Sequence, residues 1–223
     1  MALRPDDARV RAAINLAFAE RGGPPGADEL VARAELPRDA IFDALRRLES
    51  QGSLVLRPGT LDVWLAPPYS ATPTIHHVTI GDRKLWASCA FGALGVCAQL
   101  GPGRVHSLYG GLDAPFDLDV DRDGPRPLGD TCVHFAVPVR RWAEGPGYAC
   151  ATTLFFASPD AEPEWIDRTR LPAGRIVPLA QAWQLAQALY ADGSRPEAHL
   201  RHRADSDAMF RSVGLTDPFF LVK

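Results

Sequence analysis

Ile75-His76-His77-Val78-Thr79-Ile80-Gly81-Asp82-Arg83-Lys84-Leu85-Trp86-Ala87-Ser88-Cys89-Ala90-Phe91-Gly92-Ala93-Leu94-Gly95-Val96-Cys97-Ala98-Gln99-Leu100 holds two kinds of structure in succession. Ile75 to Ile80 reads as a strand and Gly81-Asp82 as its turn. The apolar run from Leu85 to Leu100 reads as a buried helix, broken at Gly101-Pro102-Gly103. Downstream, alternating segments predict strands around Val105–Leu108, Phe116–Val120, Cys132–Val139 and Cys150–Phe156, followed by a helix over Leu179–Tyr190. Strands interleaved with helices make the class α+β, with a mixed sheet and flanking helices over residues 71–223. The last thirty or so residues, with Arg195, Arg201, His202 and Arg203, read as a solvated helix and tail.

Upstream, apolar residues at Val10, Ile14, Ala17 and Phe18 predict a helix over about 6–21, closed by Gly22-Gly23-Pro24-Pro25-Gly26. Asp28 is placed to cap a short second helix. Leu36-Pro37 ends it, and a third helix runs through Ile41, Leu45 and Leu48. Ser53–Arg57 and Leu61–Leu65 then form a hairpin, so residues 1–70 read as a winged helix-turn-helix-like domain. Ala66–Pro73, rich in proline, reads as the linker. Residues 1–70 carry nine basic and ten acidic side chains, so a nucleic-acid partner is not expected; phosphate contacts need a positive face. The net charge of −3 argues equally against an anionic membrane surface. No apolar stretch reaches the roughly 18 residues of a membrane span, and Met1–Asp7 turns polar too early for a signal peptide, which leaves the cytoplasm as the expected compartment.

Cys89, Cys97, Cys132 and Cys150 are too few and too irregularly spaced for a disulfide framework, and none forms a Cys-x-x-Cys zinc pair. Cys89 falls near the start of an apolar helix, where unpaired N–H groups favour a thiolate. That suits a nucleophile, although a small core cysteine fits the same pattern. Cys97, about 80° further round the helix, and Cys132, in the alternating Thr131–Val137, read as packed residues. His76-His77 and His199 with His202 have no third ligand at metal-binding spacing and read as solvated. Asp117, Asp119, Asp121 and Asp123 lack the glutamate that ends a calcium loop, and Ser107 and Ser158 have no adjacent His/Asp arrangement for hydrolase chemistry.

Trp86–Leu94 and Tyr148–Ser158 each present one cysteine within an apolar run, and together they resemble the two thiol-bearing motifs of alkylmercury (organomercurial) lyases. The first follows the family's aromatic-x-x-Cys-Ala-x-Asp-x-Leu pattern except that Gly92 stands at the aspartate. The second ends in the family's Phe-Phe-Ala-Ser at Phe155–Ser158. Val78–Leu85, Gly103–Val105 through Ala114-Pro115, Trp165 and Val177–Gln181 continue the similarity, while Tyr109 lies near where members often carry a further structural cysteine.

The resemblance implies a helical winged domain ahead of a mixed-sheet catalytic domain, with protonolysis of a carbon–mercury bond as the activity. It makes Cys89 and Cys150 the two thiols that hold mercury as substrate and product, in one shared pocket. No cofactor is implied; the partners are a small-molecule substrate and exogenous thiols. Soft thiolates suit soft mercury, and the leaving carbon needs a proton that the family's aspartate manages. With glycine at position 92 the pocket is expected to widen there and proton supply to suffer. A diverged enzyme acting on a different small organic substrate and a non-catalytic soft-metal-binding protein are the alternative readings.

Overall fold

A computed structural model of the protein describes residues 3–110, 114–200 and 203–222. The chain is α+β. Helices α1 (Pro5–Arg21), α2 (Ala27–Ala34) and α3 (Arg38–Ser50) precede a three-stranded antiparallel sheet of β1 (Val55–Leu56), β2 (Val63–Ala66) and β3 (Tyr69–Ser70). Pro5 in the first turn, Asp6 and Asp7 at the positive end and Gly22 in a left-handed conformation bound α1. Gly26, not Asp28, caps α2; Asp28 lies in the first turn and pairs with Arg38.

The expected linker is part of the structure. Tyr69 is fully buried, stacks on Phe18 at 5.1 Å and donates its hydroxyl to Gln99 at 3.0 Å. Proline is tolerated beside this short edge strand because few ladder donors are needed there.

Strands β4 (His77–Ile80), β5 (Arg83–Trp86), β6 (Gly103–Leu108) and β7 (Pro115–Val120) form an antiparallel sheet in the order β5-β4-β6-β7. A second antiparallel sheet, β10-β8-β9, is built from β8 (Cys132–Phe135), β9 (Thr153–Phe156) and β10 (Arg175–Pro178). The expected mixed sheet is therefore two antiparallel sheets, joined by a parallel bridge between Tyr109 and Phe155 with Gly110 N–H donating to Phe155 O at 2.7 Å.

Helix α4 (Ala90–Leu100) is buried along Ala90–Cys97 and packs against α7 (Leu179–Tyr190); an apolar helix on all sides belongs inside a fold. The apolar run expected as one helix splits, Leu85 and Trp86 pairing in β5 before α4 begins. Cys150, expected on a strand, lies on the short helix α5 (Pro146–Ala151) that leads into β9. Helices α6 (Glu162–Thr169) and α8 (Arg203–Ser212) complete the chain.

The C-terminal segment is not simply solvated: Phe210, Leu215 and Phe220 are buried in the main core. That core is continuous from Val10 on α1 to Phe220. Arg201 and His202 lie outside the described residues. Among the described residues, no helix is long and apolar enough to cross a membrane.

Candidate functional site

Cys89 is the residue immediately before α4. Its backbone is extended, and its Sγ accepts the Gly92 N–H at 3.2 Å, filling the place a serine or aspartate usually takes at a helix start. Cys150 approaches from α5, and both cysteines line one cavity of about 350 Å³. Both are free cysteines, Cys89 buried and Cys150 half-buried.

The two thiols are shifted in opposite directions. Cys150 donates its S–H to Cys89, which with the Gly92 N–H and the Ser88 hydroxyl lowers the Cys89 pKa against the opposing effect of burial. Cys150 moves the other way, well above the ordinary thiol range, because it is the donor of that bond, is buried and faces the negative charge of Cys89. Of the two, Cys89 is therefore the thiol that gives up its proton more readily.

The space expected at Gly92 is filled. A Cβ there would stand 2.5 Å from Ser88 Oγ and 2.8 Å from the Pro68 carbonyl oxygen, and that carbonyl is fixed by the Ser88 N–H at 2.8 Å. Ser88 thus brings a hydroxyl to the place where an acidic side chain would begin, and 3.7 Å from the Cys89 sulfur. Among titratable groups, Tyr190 also lines the cavity. Burial, then the negative field of the cysteines, holds its pKa well above the usual phenol value, so it stays neutral.

Cys97 and Cys132 are buried away from this cavity, and burial raises their thiols to about 12 and about 11. The histidine reading needs correction. His76 is buried, hydrogen-bonds Ser107 at 2.7 Å and is pushed by burial to about 3, so it is a neutral interior residue and Ser107 has a partner. His199 lines the cavity and bonds Gly193 O at 2.8 Å. Asp117, Asp119 and Asp121 pair with His106, Arg104 and Arg126.

Two contributors escaped the sequence reading. Arg11 and Asn15 on α1 line the cavity, and with Asp7 they form a polar stripe spaced four residues apart, buried to at least 96%. That spacing on an otherwise apolar helix face was the available signal.

The alkylmercury lyase family model matches residues 69–191, more than half of the chain. The chain belongs to the alkylmercury lyase family. Among solved structures, the fold is similar to one described as "Crystal structure of the mercury-bound form of MerB2", with a TM-score of 0.71, 18% identity, and coverage of 86% of this chain and 93% of that one. No curated protein matches the chain. The family match takes in Cys89, Gly92, Cys150 and Tyr190 but begins after Arg11 and Asn15, so α1 adds to the cavity from outside the matched region.

Proposed function

We propose that this alkylmercury-lyase-like protein cleaves carbon–mercury bonds by protonolysis, with Cys89 as the capturing thiolate and Cys150 as the second ligand and proton source. The observation that carries the reading is that both sulfurs line one cavity, where Cys89 is the easier of the two to deprotonate and Cys150 the one that holds its proton more firmly. Cys89 displaces the labile ligand of R–Hg–X, giving Cys89–Hg–R and releasing X⁻. The Cys150 sulfur then bonds mercury as its S–H bond breaks and the proton passes to carbon. The C–Hg bond breaks, R–H leaves, and Hg(II) remains between two thiolates. One proton is consumed and the pair supplies one, which offers a route that does not need a carboxylate at position 92. Two exogenous thiols, one of them as thiolate, remove Hg(II) and return a proton to Cys150.

Residues 1–70 are read as a winged-helix-like packing module, not a DNA interface. On α3, Arg38, Arg46 and Arg47 are paired with Asp28, Asp43 and Asp7. Such pairing leaves little cationic surface for phosphates.

The test is benzene release from phenylmercury in excess thiol. Wild type should turn over, Cys89→Ser should be inactive, and Cys150→Ser should fall by about 10²-fold or more, as expected when a positioned proton donor is lost. Gly92 favours one competing reading, soft-metal sequestration. Hg(II) and phenylmercury binding at the cysteines with no benzene released by wild type would replace the lyase reading with that one.

A further inference from the structure

Arg11 is a buried cation without a carboxylate. Its side chain is 4% exposed and its guanidinium donates to Asn15 Oδ1 and the Pro67 carbonyl, both neutral acceptors. Among the described residues no acidic side chain pairs with it, whereas the equally buried Asp7 one turn earlier on α1 is bonded by Arg47 at 2.6 Å. A buried charge is costly unless a counter-charge or a full set of hydrogen bonds answers it. Burial lowers the Arg11 pKa to about 10, which still leaves it cationic at neutral pH.

Arg11 lines the same cavity as Cys89 and Cys150, so its buried charge borders the space that a ligand would enter. An organomercury group captured on Cys89 is neutral as S–Hg–R and brings no counter-charge to Arg11, and much of the cavity wall is aromatic, with Phe91, Phe135, Trp142 and Tyr190. An anionic group on R would restore neutrality, and the two fixed hydrogen bonds pre-orient the guanidinium fork for carboxylate recognition. A volume of about 350 Å³ is of the size used for small ring compounds.

We propose that Arg11 is an anion-recognition group of this cavity, so that the protein prefers organomercurials whose organic part carries a carboxylate, such as 4-carboxyphenylmercury, over neutral ones of the same size. The turnover part of this proposal rests on the lyase reading; the capture part does not.

The experiment is competitive capture by the full chain of 4-carboxyphenylmercury, 4-carbamoylphenylmercury and phenylmercury, scored by mass at Cys89, with release of benzoate, benzamide and benzene followed in parallel under excess thiol. Wild type should favour the carboxylate over the carboxamide by about tenfold or more, the scale of one buried charge-assisted hydrogen bond. Arg11→Met should reduce the preference to within about twofold and Arg11→Lys should restore part of it. Equal capture of carboxylate and carboxamide by wild type overturns the proposal, and that comparison needs no variant to fold. A carboxylate preference in capture with no hydrocarbon released sustains Arg11 and sinks the lyase reading. Release of all three products with equal efficiency and equal capture does the reverse.

Discussion

Cys89 and Cys150 are the same side chain placed in two fields, and the division of labour follows from placement. Cys89 sits where backbone N–H groups converge at the start of α4, so negative charge is favoured there; Cys150, at the end of α5, is the donor to Cys89, and that bond outweighs its contact with Ser88 and raises its pKa. Cys150→Ala removes the largest influence holding the Cys89 pKa down. The pH midpoint for alkylation of Cys89 should therefore move upward, with about a tenfold lower rate at pH 7 for each unit of movement. Iodoacetamide labelling followed by peptide mass mapping reads this directly, and an unchanged or lower midpoint would sink the account of the pair. At this scale the sequence was informative where chemistry is local. A cysteine before an apolar helix predicts a stabilised thiolate from position alone. The burial of Arg11, the His76–Ser107 bond and the closure of the space at Gly92 are tertiary facts: each depends on a segment at least 24 residues away in the chain.

Among the elements, α4 is the one against which the site is assembled. Its face at Gly92 and Gly95 lets the Pro68 segment and the Tyr190 ring come close. In an ordinary helix interior, glycine to alanine gains about 1 kcal/mol. Here the new Cβ of Gly92→Ala would lie 2.8 Å from a backbone carbonyl held by the Ser88 N–H, so the overpacking cost of about 1–3 kcal/mol should prevail and lower the urea midpoint. Gly92→Asp should lower the urea midpoint at least as far, because its Cβ meets the same Ser88 Oγ and Pro68 carbonyl oxygen, 3.5 Å from Cys89 Sγ. A Gly92→Ala protein as stable as wild type or more so would show that Pro68 yields. The element boundaries divide along physical lines. The helix expected over Leu179–Tyr190 is α7, while Leu85–Leu100 was read as one helix because a short apolar run has no period that separates a buried strand from a buried helix. Cys150 was placed on a strand although Pro146 at the first helical position was a start signal.

Across the whole molecule, the sequence divides at about residue 70, yet the contacts made by α1 cross that division repeatedly. Asn15 donates to Gly193 O at 2.8 Å, Arg83 donates to Ala19 O, and the core containing Val10 and Ile14 continues to Phe220. The candidate cavity is itself divided this way, with Arg11 and Asn15 contributed by α1 and the two sulfurs by segments beyond residue 70. If the helical N-terminal part were an independent domain, it could open while the thiol pair stayed folded, and the buried Arg11 would face water at modest cost. The shared core argues for one cooperative unit, since opening α1 would expose Val10, Ile14, Phe18 and Tyr69 together with the cavity wall. Native-state hydrogen exchange should therefore give the slowest amides of α1 and α4 opening free energies within about 1 kcal/mol of each other, both moving together when Asn15→Ala removes the buried bond to Gly193 at a cost of about 1–3 kcal/mol. Protection of α4 that persists unchanged while α1 opens several kcal/mol more easily would mean that the N-terminal helices are a separable cover, and that Arg11 is presented to the cavity only part of the time.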